Sequence, residues 1–324
     1  MSKILITGRI PHPAIAALSR DHEVDYRETD GPIPRKELLQ RIAGKDAMVC
    51  LLTEKVDAEL LEAAGPQLKV VANVAVGFNN IDVAACDAAG VVATNTPKVL
   101  TEATADLAFG SILMITRRLS EAERVIRTGQ TWQWGMFFML GSGLQGKTLG
   151  ILGMGAIGQA VARRGKAFGM EIAYADEREL DQATAAELGA RRCTTEELLK
   201  TADVVSLHSP LTPETAHLIG PGALADMKSS AYLINTSRGP VVDEAALAHA
   251  LTTGQIAGAA LDVFENEPMV NEALLKLDNV VLLPHIGSAT VETREAMAQL
   301  AADNVLALLA GKEALTPVTQ KKSI

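Results

Sequence analysis

The chain has 324 residues, 48% of them hydrophobic and only 3% aromatic, and a formal net charge of −9 at pH 7. That length exceeds one compact domain, so two domains are expected, and the acidic balance argues against a nucleic-acid surface or an anionic membrane as main partner. The three cysteines, Cys50, Cys86 and Cys193, lie far apart in no metal-ligand spacing and read as reduced thiols. The apolar run at residues 4–6 is too short for a signal peptide. No segment approaches the ~20 apolar residues of a membrane span, and a cytoplasmic setting is expected.

In chain order, residues 4–7, 47–52, 68–74 and 91–94 read as strands, with helices between them around Ile15, Leu38, Leu60 and Val83. Repeated βα units of this kind pack as a parallel sheet covered by helices on both faces. At Asn95-Thr96-Pro97 the pattern pauses, and Thr101 opens an apolar helical run to Ile115 that ends near Arg117 and Arg118, a plausible crossover into a second domain. A second βα series has strands at 148–152, 171–175, 203–207, 231–235, 257–263 and 280–283, and six such strands suit a dinucleotide-binding sheet. The helix predicted over 291–309 is expected to return to the first domain, and residues 321–324 read as a frayed tail. The expected domains are therefore 1–97 with 288–324, and 98–287.

Gly153-Met154-Gly155-Ala156-Ile157-Gly158 follows the strand at 149–152 and opens a helix that runs to about Phe168. The first glycine permits the tight turn, the second lets backbone approach a pyrophosphate, and the third lets the helix pack on the sheet. Backbone N–H groups at the helix start favour phosphate charge. Asp176 ends the next strand about 20 residues on, where the fingerprint wants a partner for the ribose hydroxyls. A carboxylate there repels the extra phosphate of NADP, so NAD is expected, with nearby Arg178 as the residue that would permit some NADP use.

Farther on, Arg238 lies in Asn235-Thr236-Ser237-Arg238-Gly239, Glu267 in Asp262-Val263-Phe264-Glu265-Asn266-Glu267-Pro268, and His285 in Pro284-His285-Ile286-Gly287-Ser288, each past a buried strand. An arginine grips a carboxylate in bidentate fashion, and an imidazole backed by a carboxylate moves a proton near neutral pH. Glu265 and Asp262 compete for the role of Glu267 on sequence alone. Among the other histidines, His208 also ends a strand and is the strongest rival of His285; it is read as structural. His12, His22, His217 and His249 read as surface residues without matching partners. No histidine pair has a zinc-site spacing.

These motifs together make the chain resemble the D-2-hydroxyacid dehydrogenase family over almost its whole length, and within it the glyoxylate and hydroxypyruvate reductases. The resemblance implies a Rossmann-type cofactor domain inserted in a flavodoxin-like substrate domain, with a cleft between them, and a homodimer built largely on the helix after Thr101. It implies that Arg238 binds the substrate's carboxylate and carbonyl, that His285 donates the proton and that Glu267 holds it and raises its pKa. The loop Asn73-Val74-Ala75-Val76-Gly77-Phe78-Asn79-Asn80 matches the family's substrate loop, whose N–H groups at Val76 and Gly77 would receive the carboxylate. Thr104, Thr236, Asp262 and Gly287 join the fingerprint glycines, Ala156, Ile157 and Asp176 as expected cofactor contacts. The expected reaction is NAD(P)H-dependent reduction of glyoxylate or hydroxypyruvate to glycolate or D-glycerate. A phosphoglycerate or D-lactate dehydrogenase is the alternative within the family, and an NADH-sensing binding protein the alternative outside catalysis. The apolar segment 132–140 is read as dimer packing, with a contribution to a neighbour's site as the other possibility.

Overall fold

The computed structural model describes residues 1–318. The tail expected at 321–324 lies outside the described residues. The chain divides into two compact units, one formed by Met1–Leu100 with Ser288–Ile324 and the other by Thr101–Gly287.

The first unit is built from β1 (Lys3–Ile6), α1 (His12–Ser19), β2 (Glu23–Tyr26), α2 (Arg35–Ile42), β3 (Ala47–Cys50), α3 (Ala58–Ala64), β4 (Val70–Asn73), α4 (Val83–Ala89) and β5 (Val92–Thr94). The strands are parallel, in the order β2-β1-β3-β4-β5, the doubly wound order of flavodoxin-like sheets. Ile4, Leu5 and Ile6 are all fully buried, as a strand covered on both faces requires. Asp57 and Asp82 cap α3 and α4 by accepting the N–H groups of Leu60 and Ala85, which places the strand-to-helix turns at the carboxyl edge. The helix Val291–Leu309 packs on α1, β3 and β4. Pro317 then bridges to Thr94 beside β5.

The second unit begins with α5 (Thr101–Thr116) and α6 (Leu119–Arg127) and continues as β6 (Thr148–Leu152), α7 (Ala156–Ala167), β7 (Glu171–Ala175), α8 (Gln182–Leu188), β8 (Ala190–Arg192), α9 (Thr195–Thr201), β9 (Val204–Leu207), α10 (Pro221–Asp226), β10 (Tyr232–Asn235), α11 (Glu244–Thr252), β11 (Gly258–Leu261) and β12 (Val280–Leu282). Its seven-stranded sheet runs β12-β11-β10-β9-β6-β7-β8, all pairs parallel. Strand order reverses at β6 and β9, and open α/β sheets bind ligands beyond the carboxyl ends of strands at such a switch point. α5 lies along the sheet and buries Ala105, Ala108, Ile112 and Ile115 against β10, β11 and α7.

Three elements go beyond the sequence expectation. β2 and β8 are edge strands with mostly polar or charged side chains, and α6 buries none of its residues. None of the three carries the continuous apolar pattern by which an inner element announces itself.

Candidate active site

Three loops leave the carboxyl ends of β10, β11 and β12, and local hydrogen bonds shape each. After β10, the buried Asn235 side chain accepts from the Ser237 N–H (3.0 Å) and hydroxyl (2.9 Å) and donates to the Arg238 carbonyl (2.9 Å), folding the turn that carries Arg238. Gly239 follows because a Cβ there would lie 1.9 Å from the Phe264 carbonyl group. The arginine loop thus crosses directly against the loop that carries Glu267. The Arg238 guanidinium donates to the Ser237 carbonyl at 2.6 Å and makes no ion pair among the described residues. Burial lowers its pKa from the usual arginine value, and the charge of Glu267 opposes that shift.

After β12, His285 adopts a left-handed conformation, with φ at +53°. Asp262 holds this turn: its carbonyl accepts the His285 N–H (2.9 Å), and its carboxylate accepts the N–H groups of Ile286 (2.7 Å) and Gly287 (2.8 Å). A rare backbone state persists where surroundings over-determine it, and here one carboxylate and one carbonyl do so. His285 Nδ1 and Glu267 Oε2 are 2.8 Å apart, with both side chains about a third exposed at 31% and 36%. The other Glu267 oxygen accepts the Phe264 N–H at 3.0 Å. Burial pushes the Glu267 carboxyl up, but the hydrogen bond and charge of His285, the Phe264 N–H and Arg238 outweigh it and leave its pKa below the ordinary value.

The geometry separates the three acids that sequence left in competition. Glu267 pairs with His285, Asp262 anchors the histidine turn, and Glu265 lies 2.5 Å from His217 Nε2. His217 is exposed, as its reading as a surface histidine expects, but it has an acidic partner that reading did not give it. His208 contacts Ser206 Oγ (2.9 Å), and desolvation lowers its pKa to about 4, so it stays neutral near pH 7.

Comparison with known proteins accords with this geometry. The model of the D-isomer specific 2-hydroxyacid dehydrogenase NAD binding domain matches residues 109–287. The chain belongs to the D-2-hydroxyacid dehydrogenase family. It is 50% identical over 315 residues to a glyoxylate reductase of Thermococcus litoralis, covering 96% of this chain and 94% of that protein. A glyoxylate reductase of Thermofilum pendens is 49% identical, with 96% and 92% covered. Among solved structures, an NADPH-dependent glyoxylate/hydroxypyruvate reductase from Sinorhizobium meliloti, in complex with NADP and malonate, superposes with a TM-score of 0.84 at 38% identity, covering 98% of this chain and 96% of that one.

The switch point of this dehydrogenase fits a dinucleotide on its own evidence. Gly153 has φ +94°, and a Cβ there would lie 2.5 Å from the Ser209 N, so the turn after β6 is pressed against the chain leaving β9. A Cβ at Gly158 would lie 2.2 Å from the Gly153 carbonyl oxygen, whereas nothing lies within 4 Å of one at Gly155, which leaves that backbone open. Gly155 starts α7 with no side-chain cap, so the helix's first N–H groups, at Ala156 and Ile157, have no partner among the described residues and can meet an anion. Asp176 accepts the N–H groups of Met154 (2.6 Å) and Arg178 (2.8 Å) and so ties the end of β7 to the glycine turn. The buried hydroxyls of Ser209 and Thr236 have no hydrogen-bond partner among the described residues. Thr104 is buried on α5 beside Gly287, its side chain 3.4 Å from where a Cβ on that glycine would lie.

Sequence reading missed the roles of Asn235 and Gly239. Their positions in the Asn-Thr-Ser-Arg-Gly motif are the signal, but only the fold reveals which backbone the glycine meets.

Proposed function

We propose that this chain is an NAD(P)H-dependent glyoxylate/hydroxypyruvate reductase, acting reversibly between a small 2-oxo acid and its 2-hydroxy acid. The observation that carries this reading is the His285–Glu267 pair, 2.8 Å apart, in the unit that matches an NAD-binding domain and whose Arg238 makes no ion pair among the described residues. Relatives named glyoxylate reductase at about half identity support the substrate class.

The nicotinamide, when bound, supplies the hydride that reduces C2 of the substrate. His285 donates a proton to the C2 oxygen from Nε2, because Nδ1 is engaged by Glu267. Glu267 holds the ring and its tautomer through Nδ1. Arg238 binds the carboxylate and the C2 oxygen and stabilises the charge that develops there. Val76 and Gly77 receive the carboxylate on their N–H groups, in a substrate domain formed by residues 1–97 and 288–324. Gly153, Gly155, Ala156, Ile157 and Gly158 would hold the pyrophosphate, Asp176 the ribose hydroxyls, and Thr104, Thr236, Asp262 and Gly287 the rest of the dinucleotide. The Asp176 carboxylate favours NAD over NADP. A cytoplasmic homodimer is the proposed working form, with exposed Trp134, Met136 and Phe137 supplying apolar surface for the partner.

Loss of NADH absorbance with glyoxylate, hydroxypyruvate, phosphohydroxypyruvate and pyruvate, repeated with NADPH, tests the proposal. Glyoxylate or hydroxypyruvate should give the highest kcat/KM, and NADH should exceed NADPH. Preference for phosphohydroxypyruvate or pyruvate would reassign the substrate, and no turnover with any would favour an NADH-sensing protein.

A further inference from the structure

The loop after β4 contains three consecutive carbonyls that all point at donors. Ala75 O accepts the Thr96 N–H at 2.8 Å, Val76 O accepts the Asn95 side-chain amide at 2.8 Å, and Gly77 O accepts the Asn73 side-chain amide at 2.9 Å. Their peptide bonds are trans, and in a planar trans peptide the N–H of one residue points opposite to the carbonyl of the residue before it. Tying the Ala75 carbonyl to Thr96 therefore aims the Val76 N–H away from Thr96, and tying the Val76 carbonyl to Asn95 aims the Gly77 N–H away from Asn95. Neither N–H donates to any group among the described residues. Successive N–H groups turned to one side form a concave anion site without a charged side chain.

Asn95 is itself held in place. Its carbonyl accepts the Thr316 hydroxyl (2.6 Å) and its N–H donates to the Thr316 carbonyl (3.3 Å). Thr316 in turn is fixed by Asn304, fully buried on the returning helix: Asn304 donates to the Thr316 hydroxyl (2.9 Å) and accepts its N–H (3.0 Å). At the loop's far end, Asn80 donates to the carbonyls of Leu51 (3.2 Å) and Glu54 (3.0 Å). Each fixed partner lowers the freedom lost when the loop meets a ligand.

We propose that Asn95 is a positioning residue for the 2-oxo acid's carboxylate, buttressed by Thr316 and Asn304: its amide turns the Val76 carbonyl inward and thereby aims the Gly77 N–H at the carboxylate. The proposal rests on the reading of Val76 and Gly77 as the carboxylate's donors. Asn95 touches no reacting atom, so its loss acts on substrate binding before it acts on the chemical step.

The test uses NADH-loaded protein labelled with ¹⁵N at valine and glycine and titrated with oxamate, a small carboxylate that resists hydride addition. In the wild type the amide signals of Val76 and Gly77 shift on titration. Asn95→Leu keeps the side chain's approximate shape and removes its amide. It should weaken oxamate binding and raise the KM for glyoxylate by about tenfold, the size of one lost hydrogen bond, with kcat changed by no more than roughly threefold. The Gly77 signal should lose more of its response than that of Val76, whose orientation depends on Thr96. Asn95→Gln should recover part of the loss, and Thr316→Val should weaken binding in the same direction by less. An unchanged NADH dissociation constant reports an intact cofactor domain in each variant. If Asn95→Leu and Thr316→Val bind oxamate as the wild type does, with the Gly77 signal moving as before, the positioning role is overturned while the donors stand. If oxamate binds the wild type and neither amide moves, the assignment of the donors falls, and the role of Asn95 with it.

Discussion

The loop after β4 in the first unit and the loops after β10, β11 and β12 in the second occupy the same place in their sheets, the carboxyl edge, yet are built from opposite materials. The first is shaped by neutral groups: Asn73 and Asn95 tie down its carbonyls at Gly77 and Val76, and Asn80 ties it to the Leu51 carbonyl. The adjoining loop after β3 holds a buried carboxylate, Glu54, but it is spent on the Thr7 and Thr53 hydroxyls and the Leu51 N–H, at 2.6 to 2.7 Å. The second concentrates charge, with Arg238, Asp262, Glu267 and His285 on neighbouring turns. Backbone donors bind an anion without changing protonation, whereas a histidine with a carboxylate behind it moves a proton. The contrast implies a division of labour: alterations in the neutral loop should move KM, and alterations at the charged edge should move kcat.

The largest expected effect is at the charged edge. His285→Ala should lower kcat by roughly 10² to 10⁴, the usual contribution of a general acid. Oxamate affinity in the NADH-loaded variant should change much less than turnover. Stopped-flow single-turnover measurements separate the two quantities. A folded variant with wild-type turnover would end the division by removing proton transfer from this edge.

A smaller effect is expected from Glu267→Gln, which keeps shape but removes the charge behind the imidazole. Turnover should fall by roughly 10- to 100-fold, less than loss of the acid itself. The same variant carries a stability signature whose sign follows from the lowered pKa of Glu267. A carboxyl with a folded-state pKa below its unfolded value contributes stability that is present above the unfolded pKa and lost as pH falls through the folded one. The wild type should therefore lose stability relative to Glu267→Gln as the pH drops below the ordinary glutamate range. Melting curves from pH 6 to pH 3 read this. Parallel curves would mean that Glu267 and His285 interact too weakly for their separation of 2.8 Å to matter.

How much of this was legible beforehand differs between the two regions for the same reason that their chemistry differs. Charged residues at strand ends stand out in a chain of buried strands, so Arg238, Glu267 and His285 could be picked from their motifs, as could the glycine turn whose spacing the nucleotide fold dictates. The asparagine scaffold could not, because nothing in the spacing of Asn73, Asn95 and Asn304 says which carbonyl each amide will reach. Edge elements were opaque for a different reason. Asp25 on β2 faces Arg41 and Lys45 in ion pairs, and β8 ends in Arg191 and Arg192, so neither strand shows the apolar run that marks an inner one. Charge at an edge guards against pairing with other chains, and the same charge disguises the strand.

The smallest effect probes a histidine at the switch point of the charged unit that should stay out of the chemistry. His208 has a pKa lowered to about 4 by desolvation, and it contacts Ser206 at 2.9 Å. An imidazole that is neutral when folded and protonates near pH 6.5 when unfolded leaves stability intact above pH 6.5. Below that, stability falls by at most about 1.4 kcal/mol for each pH unit, until the folded form also takes up its proton near pH 4. His208→Gln lacks this proton, so its melting temperature should decline less than that of the wild type between pH 6.5 and pH 4.5, while its kcat at pH 7 stays within a few-fold. If instead the variant melts in step with the wild type and loses turnover as His285→Ala does, proton transfer belongs to the end of β9, and the charged edge at β12 supports binding alone.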